Sequence, residues 1–84
     1  MNTMSDKNND LIFNVGITIA KLRNKNNLSQ EGLSELAEIH RTYLSEVEGG
    51  KRNLTLTVLK RIVDALGFSM SEFFRIVEEN SLDE

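Results

Sequence analysis

Arg41 and Ser45, and Thr42 and Glu46, are each spaced by four residues, an interval that stacks side chains on one face of a short helix. A guanidinium in the first turn of such a helix can donate two parallel hydrogen bonds to guanine O6 and N7, and a carboxylate can accept from the amino group of cytosine. Thr42 offers a methyl group to thymine or a hydroxyl to a phosphate, and Ser45 a hydroxyl one turn further on. Beyond Gly49 and Gly50 stand Lys51, Arg52 and Asn53, with Thr55 and Thr57 at the next helix start. These residue types hold phosphate and fix register without reading sequence. Gln30, opening the preceding helix, would direct its amide and that helix's free N–H groups toward a phosphate. Tyr43 either packs as a half-buried ring or donates its hydroxyl to a phosphate, and the two roles are compatible. Taken singly, each residue has a plainer account as solvated surface. The order of polar helix, basic loop and capped helix favours the nucleic-acid reading.

Positioning these side chains requires a scaffold. From Asp10, the apolar residues Ile12, Val15, Ile19 and Leu22 recur at threes and fours, predicting an amphipathic first helix that ends near Asn26 and Asn27. Residues 1–9 are polar and without period, and are expected to form a flexible tail. Ser29 is a good N-cap for a second helix with Leu33, Leu36 and Ala37 inward. Glu38, Ile39 and His40 make a turn, and Arg41 to Glu48 a third helix burying Leu44 and Val47. Thr55 caps a fourth helix over Leu59, Ile62, Val63 and Leu66. Ser69 and Glu72 form a capping box that opens a fifth. The fold class is therefore all-α, a compact five-helix bundle containing a helix-turn-helix. One domain over residues 10–79 is followed by an acidic tail, 80–84.

Two features hold the reader in place and pair it with a second copy. Arg23, late in the first helix, and Glu48, at the end of the third, are expected to form a structural ion pair. Phe68, Met70, Phe73, Phe74 and Val77 carry more apolar surface than a short terminal helix needs for one small core. Some of it is core, and with the remainder the group is assigned to the interface of a homodimer, whose two reader helices would meet half-sites ~34 Å apart on the DNA.

Composition excludes much else. With 84 residues there is room for one domain, and with no Cys and a single histidine, His40, neither a thiolate site nor a metal cluster is evident. No Cys nucleophile, no His beside a carboxylate and no phosphate-binding glycine loop argues for an enzyme. No cofactor or small-molecule ligand is indicated. No apolar run reaches the ~20 residues of a membrane span, and the start lacks a signal-peptide pattern, so a cytoplasmic protein is expected. The net charge of −3 is unevenly spread. Lys21, Arg23, Lys25, Arg41, Lys51, Arg52, Lys60 and Arg61 lie in the middle of the chain, while Glu78, Glu79, Asp83 and Glu84 crowd its end. Double-stranded DNA remains the expected partner, bound with strong salt dependence.

The run from Val15, VGITIAKLRNKNNLSQEGLSELAEIHRTYLSEVEGGKRN, resembles the Cro and C1-type helix-turn-helix domain of phage repressors, with the lambda-repressor-like fold, over about residues 11 to 74. Arg23, Ser29-Gln30, Leu44-Ser45, Glu48 and Gly50 carry the likeness. Arg41-Thr42-Tyr43 and Arg52-Asn53-Leu54-Thr55 most resemble the controller proteins of restriction-modification systems. That resemblance implies a small dimer binding tandem operators upstream of its own gene and the endonuclease gene, activating and then repressing, with RNA polymerase as a further candidate partner. Glu38 departs from the family, which usually has Gly or Asn in the turn. Gly32, Ser34 and Gly49 also stand where other residues are common. A phage-type or antitoxin repressor of the same fold is the nearest alternative reading, and a protein-binding adaptor the alternative from another class.

Overall fold

Apolar stripes at helical spacing, punctuated by capping residues and uninterrupted by any proline, fold into α1 (Thr3–Lys25), α2 (Gln30–Ala37), α3 (Arg41–Glu48), α4 (Leu56–Leu66) and α5 (Met70–Leu82). The computed structural model describes the backbone of residues 3–82 and the side chains from Asp10 to Asn80, and no strand occurs among the described residues. Each helix start from α2 onward, except that of α3, is closed by a side chain. Ser29 Oγ accepts from Gly32 N at 2.9 Å and Thr55 Oγ1 from Val58 N at 3.1 Å. At α5 the bonds are reciprocal: Ser69 Oγ accepts from Glu72 N at 3.1 Å, and Ser69 N donates to Glu72 Oε1 at 2.9 Å. These bonds from Ser69, the backbone N–H foremost, hold the Glu72 carboxyl below the usual carboxylate range.

The core collects residues from all five helices: Val15, Ile19 and Leu22; Leu33 and Ala37; Leu44 and Val47; Leu59, Ile62, Val63 and Leu66; Phe73 and Val77. Helix α1 runs against α3, α4 and α5, and α2 sits on α3 and α4. At Gly16 the α1 backbone meets the end of α3 so closely that a Cβ there would overlap the Val47 carbonyl oxygen. Nearby, Thr18 is fully buried yet satisfied, its Oγ1 donating to Asn14 O at 2.7 Å and accepting from Asn80 Nδ2 at 3.0 Å.

Several boundaries and faces differ from those the sequence suggests. Helix α1 begins at Thr3, upstream of Asp10. Once a helix is nucleated, each added residue gains a hydrogen bond without a new nucleus, so a polar stretch can continue one that an apolar stripe began. Asn80 belongs to α5 and bonds to α1 rather than opening a tail; Asp83 and Glu84 lie outside the described residues. Leu36, expected inward, is 60% exposed. The buried stripe of α2 runs instead through Leu33, Ser34 and Ala37, and Leu36 sits roughly 100° around the helix from its centre. Ser34 tolerates burial because its Oγ donates to Glu31 O at 2.8 Å.

Glu38 closes α2 in the left-handed conformation, φ 59° and ψ 46°, with its N–H on Glu35 O and the Ile39 N–H on Ser34 O at 3.0 Å. The tight turn into α3 is thus made by a residue with a Cβ, at a cost of about 1 kcal/mol. Glu38→Gly is expected to raise stability by about 0.5 to 1 kcal/mol, part of the relief being offset by the greater freedom of the unfolded glycine chain. A urea midpoint below that of the parent protein would show that the Glu38 side chain makes a contact worth more than the strain.

Candidate nucleic-acid interface

Where α1, α2 and α3 meet, a nearly buried carboxylate gathers them. Arg23 Nε donates to Glu48 Oε2 at 2.7 Å and Arg23 Nη2 to Glu48 Oε1 at 3.0 Å, a two-pronged pair whose side chains are 13% and 7% exposed. The remaining nitrogen, Nη1, donates to Leu28 O at 2.8 Å. The bond to Glu48 raises the Arg23 pKa further above its ordinary value, so the guanidinium stays charged. Gln30 Nε2 donates to Glu48 Oε1 at 2.9 Å. The sequence reading directed this amide toward a phosphate; here it is turned toward Glu48, where it satisfies a carboxylate oxygen in a nearly buried site.

The side of α3 away from the buried Leu44 and Val47 is open. Arg41, Thr42 and Ser45 are exposed on it, and His40 precedes the helix without a side-chain cap. At the far end Gly49 keeps an ordinary backbone and Gly50 takes φ 74°, which turns the following loop back along the helix. Gly50 packs on Phe13, and Leu54 packs against the core, so the loop is pinned at both ends. Within it Lys51 and Asn53 are exposed, as is Thr57 in the first turn of α4. Thr55 Oγ1 accepts the capping bond from Val58 N, which leaves its own proton to donate outward. Arg52 is engaged within the chain: its Nε donates to Glu46 Oε1 at 2.8 Å, and its guanidinium carbon lies 4.8 Å from the Tyr43 ring centroid. The structure thus brings Tyr43, Glu46 and Arg52 into one group and leaves Arg41, Thr42 and Ser45 as a separate exposed row.

Within the apolar C-terminal assignment, Phe73 and Val77 need correction. Phe73 and Val77 are 0% and 2% exposed. Helix α5 folds back on α1 and α4, and that packing covers the inner stripe; Phe68, Met70 and Phe74 are half-buried at its margin. Exposed apolar surface lies elsewhere. Leu11, Phe13 and Leu56 are 50%, 48% and 75% exposed, and a mostly apolar groove of about 130 Å³ is lined by Leu11, Ile12, Val15, Val47, Leu54, Leu56, Leu59 and Phe74 together with Arg52 and Asn53. The sequence carried a signal for this groove: Leu11, Leu54 and Leu56 are large apolar residues outside the inward stripes of α1 and α4. Among the described residues no cluster of His, Cys, Asp and Glu could hold a metal ion, and no helix is long and apolar enough to cross a membrane.

A protein-family model described as helix-turn-helix matches residues 19–73, spanning α2, the turn, α3 and α4. The control protein C.MunI of a Mycoplasma species is 40% identical over 72 residues, covering 84% of this chain and 97% of C.MunI. The chain belongs to the helix-turn-helix control proteins. A second control protein, C.BamHI of Bacillus amyloliquefaciens, is 38% identical over 60 residues, 70% of this chain and 74% of that one. The restriction-modification controller protein C.Esp1396I, solved as a tetramer in complex with its natural 35-base-pair operator, superposes with a TM-score of 0.82 at 33% identity, covering 86% of this chain and 95% of its own.

In this control protein the Glu48 network ties α3 to α1 and α2. Arg23→Ala is expected to cost about 2 to 4 kcal/mol, because it leaves a nearly buried carboxylate with Gln30 alone. Replacing both partners, Arg23→Met with Glu48→Leu, is expected to cost far less, since no charge is stranded. Urea unfolding of the three proteins checks this, and an Arg23→Ala variant that unfolds like the parent would refute it.

Proposed function

We propose that this control protein is a dimeric, sequence-specific transcription regulator of a restriction-modification system, acting in the cytoplasm on operators upstream of its own gene and the endonuclease gene. The observation that carries the reading is the two-sidedness of α3: Leu44 and Val47 are buried on one side and Glu48 ties the end of the helix to the scaffold, while Arg41, Thr42 and Ser45 are presented to solvent. A helix held in that way fits the major groove, where Arg41 pairs with guanine O6 and N7 and the two hydroxyls reach neighbouring bases. Lys51, Asn53, Thr55 and Thr57 hold the flanking phosphates. The end-to-end match to C.MunI and the operator complex of C.Esp1396I support a controller over a phage or antitoxin repressor of the same fold.

For self-association, the groove between α1 and α4 is the better surface. Leu11 and Leu56 are exposed there beside Phe74, whereas most of the α5 stripe lies within one subunit. A dimer built on it would set two α3 helices against successive half-sites, and two dimers on tandem operators would give a tetramer like that described for C.Esp1396I. An operator-bound dimer beside a promoter makes RNA polymerase its further partner in activation.

The deciding experiment is binding to the DNA upstream of the protein's own gene, at near-physiological salt with excess competitor DNA, while the mass of the complex is followed. Stepwise filling by one and then two dimers is expected. Absence of preference over competitor would refute the reading and favour an adaptor that uses the apolar groove.

Two variants refine it. Arg41→Ala should lose about 1 to 3 kcal/mol of operator binding and relax the preference at one base position; equal losses on operator and random DNA would exclude base reading. Leu56→Glu should yield a folded monomer by sedimentation, with operator affinity lower by at least on the order of tenfold because the second half-site no longer arrives tethered. A dimer that survives this change would place the interface elsewhere.

A further inference from the structure

The group formed by Tyr43, Glu46 and Arg52 sits at the junction between the reader helix and the phosphate loop. Glu46 lies one turn beyond Thr42, and its carboxylate faces the loop's arginine at 2.8 Å. Arg52 lies over the Tyr43 ring, and the Lys51 N–H donates to Glu46 O at 2.9 Å, so both side chain and backbone draw the loop toward α3. Arg52 and Glu46 are 50% and 41% exposed, and a pair so open to water contributes little to folding. Phosphate binds a guanidinium through the same fork geometry as carboxylate, so DNA can replace Glu46 as the partner of Arg52. The carboxylate left behind then faces the DNA, where it is repelled by phosphate and finds a favourable partner only in a base-edge donor such as the cytosine amino group.

We propose that Glu46 is a specificity-determining residue that acts by restraint. In the DNA-free protein it holds Arg52 on Tyr43, which lowers affinity for DNA of any sequence. It releases Arg52 to a phosphate where contacts from Arg41 and its neighbours have already seated the helix. Glu46 therefore increases the ratio of specific to non-specific binding by weakening the second term more than the first. The inference rests on α3 being the base-reading helix.

The test compares the parent protein, Glu46→Gln, Arg52→Ala and the double variant. Each is titrated against a duplex selected by the parent from a random pool and against duplexes of unselected sequence, over a range of salt. Glutamine keeps the size and the hydrogen-bonding capacity of Glu46 and removes its charge. Glu46→Gln is expected to bind unselected DNA about five- to tenfold more tightly near 0.1 M salt, with a salt slope steeper by about one, as befits one more neutralised phosphate. The gain on the selected duplex should be smaller, and in the Arg52→Ala background it should largely vanish on both. An equal gain with and without Arg52 would show a simple effect of net charge and overturn the proposal, as would unchanged or weaker binding to unselected DNA. If the parent selects no sequence at all, the reading of α3 falls and this inference with it. If the parent selects a site whose discrimination is indifferent to Glu46, only this inference falls.

Discussion

A single carboxylate organises the reader. Glu48 ends an eight-residue helix that is too short to persist alone, and it lies where solvent can no longer stabilise its charge. Left without partners there it would favour almost any other arrangement of the chain. Arg23 and Gln30 remove that penalty only in one geometry, since the guanidinium fork fixes direction as well as distance. The contact of the Gly16 backbone with the Val47 carbonyl closes the remaining freedom, by setting how far α3 can slide or lift from α1. Leu44 and Val47 supply apolar burial, while the ion pair and the close approach determine how α3 is oriented.

The helix-turn-helix itself was legible in the sequence because its signals are local. Ser29, Glu38 and the apolar pair Leu33 and Ala37 lie within ten residues of one another, and α2, the turn and α3 fall where these residues place them. What escaped depends on the packing of distant elements. Whether Leu36 or Ser34 goes inward is decided by where α4 lies, and a hydroxyl that can bond back to its own helix tolerates burial. The apolar stripe of α5 resembled a surface for another subunit because its covering helix, α1, is more than forty residues away in the chain. Thr18 and Asn80, 62 residues apart, carry no mutual signature at all.

At the candidate interface, exposure was legible in the sequence and side-chain direction was not. Arg41, Thr42 and Ser45 stand exposed on α3, as helical spacing dictates. Gln30 turned inward and Arg52 folded onto Glu46 because both are long side chains with a carboxylate within reach. Spacing along a chain gives the face on which a residue begins, and charge decides where a flexible side chain ends. The same argument bears on charge in a chain with a net charge of −3: Lys51 stands exposed in the loop after the turn at Gly50, while the guanidinium of Arg52 is paired with Glu46.

The separation of the two sides of α3 has an evolutionary reach. Residues facing the scaffold, Leu44, Val47 and Glu48, interleave with residues facing outward, Arg41, Thr42 and Ser45, and the two sets share no hydrogen bond or ion pair among the described contacts. Mutation can therefore explore the outward set without unfolding the domain. On the proposed reading of α3, a lineage of such proteins can acquire new target sequences by a few side-chain exchanges, and a duplicated gene can diverge from its parent's operators while its architecture stands still.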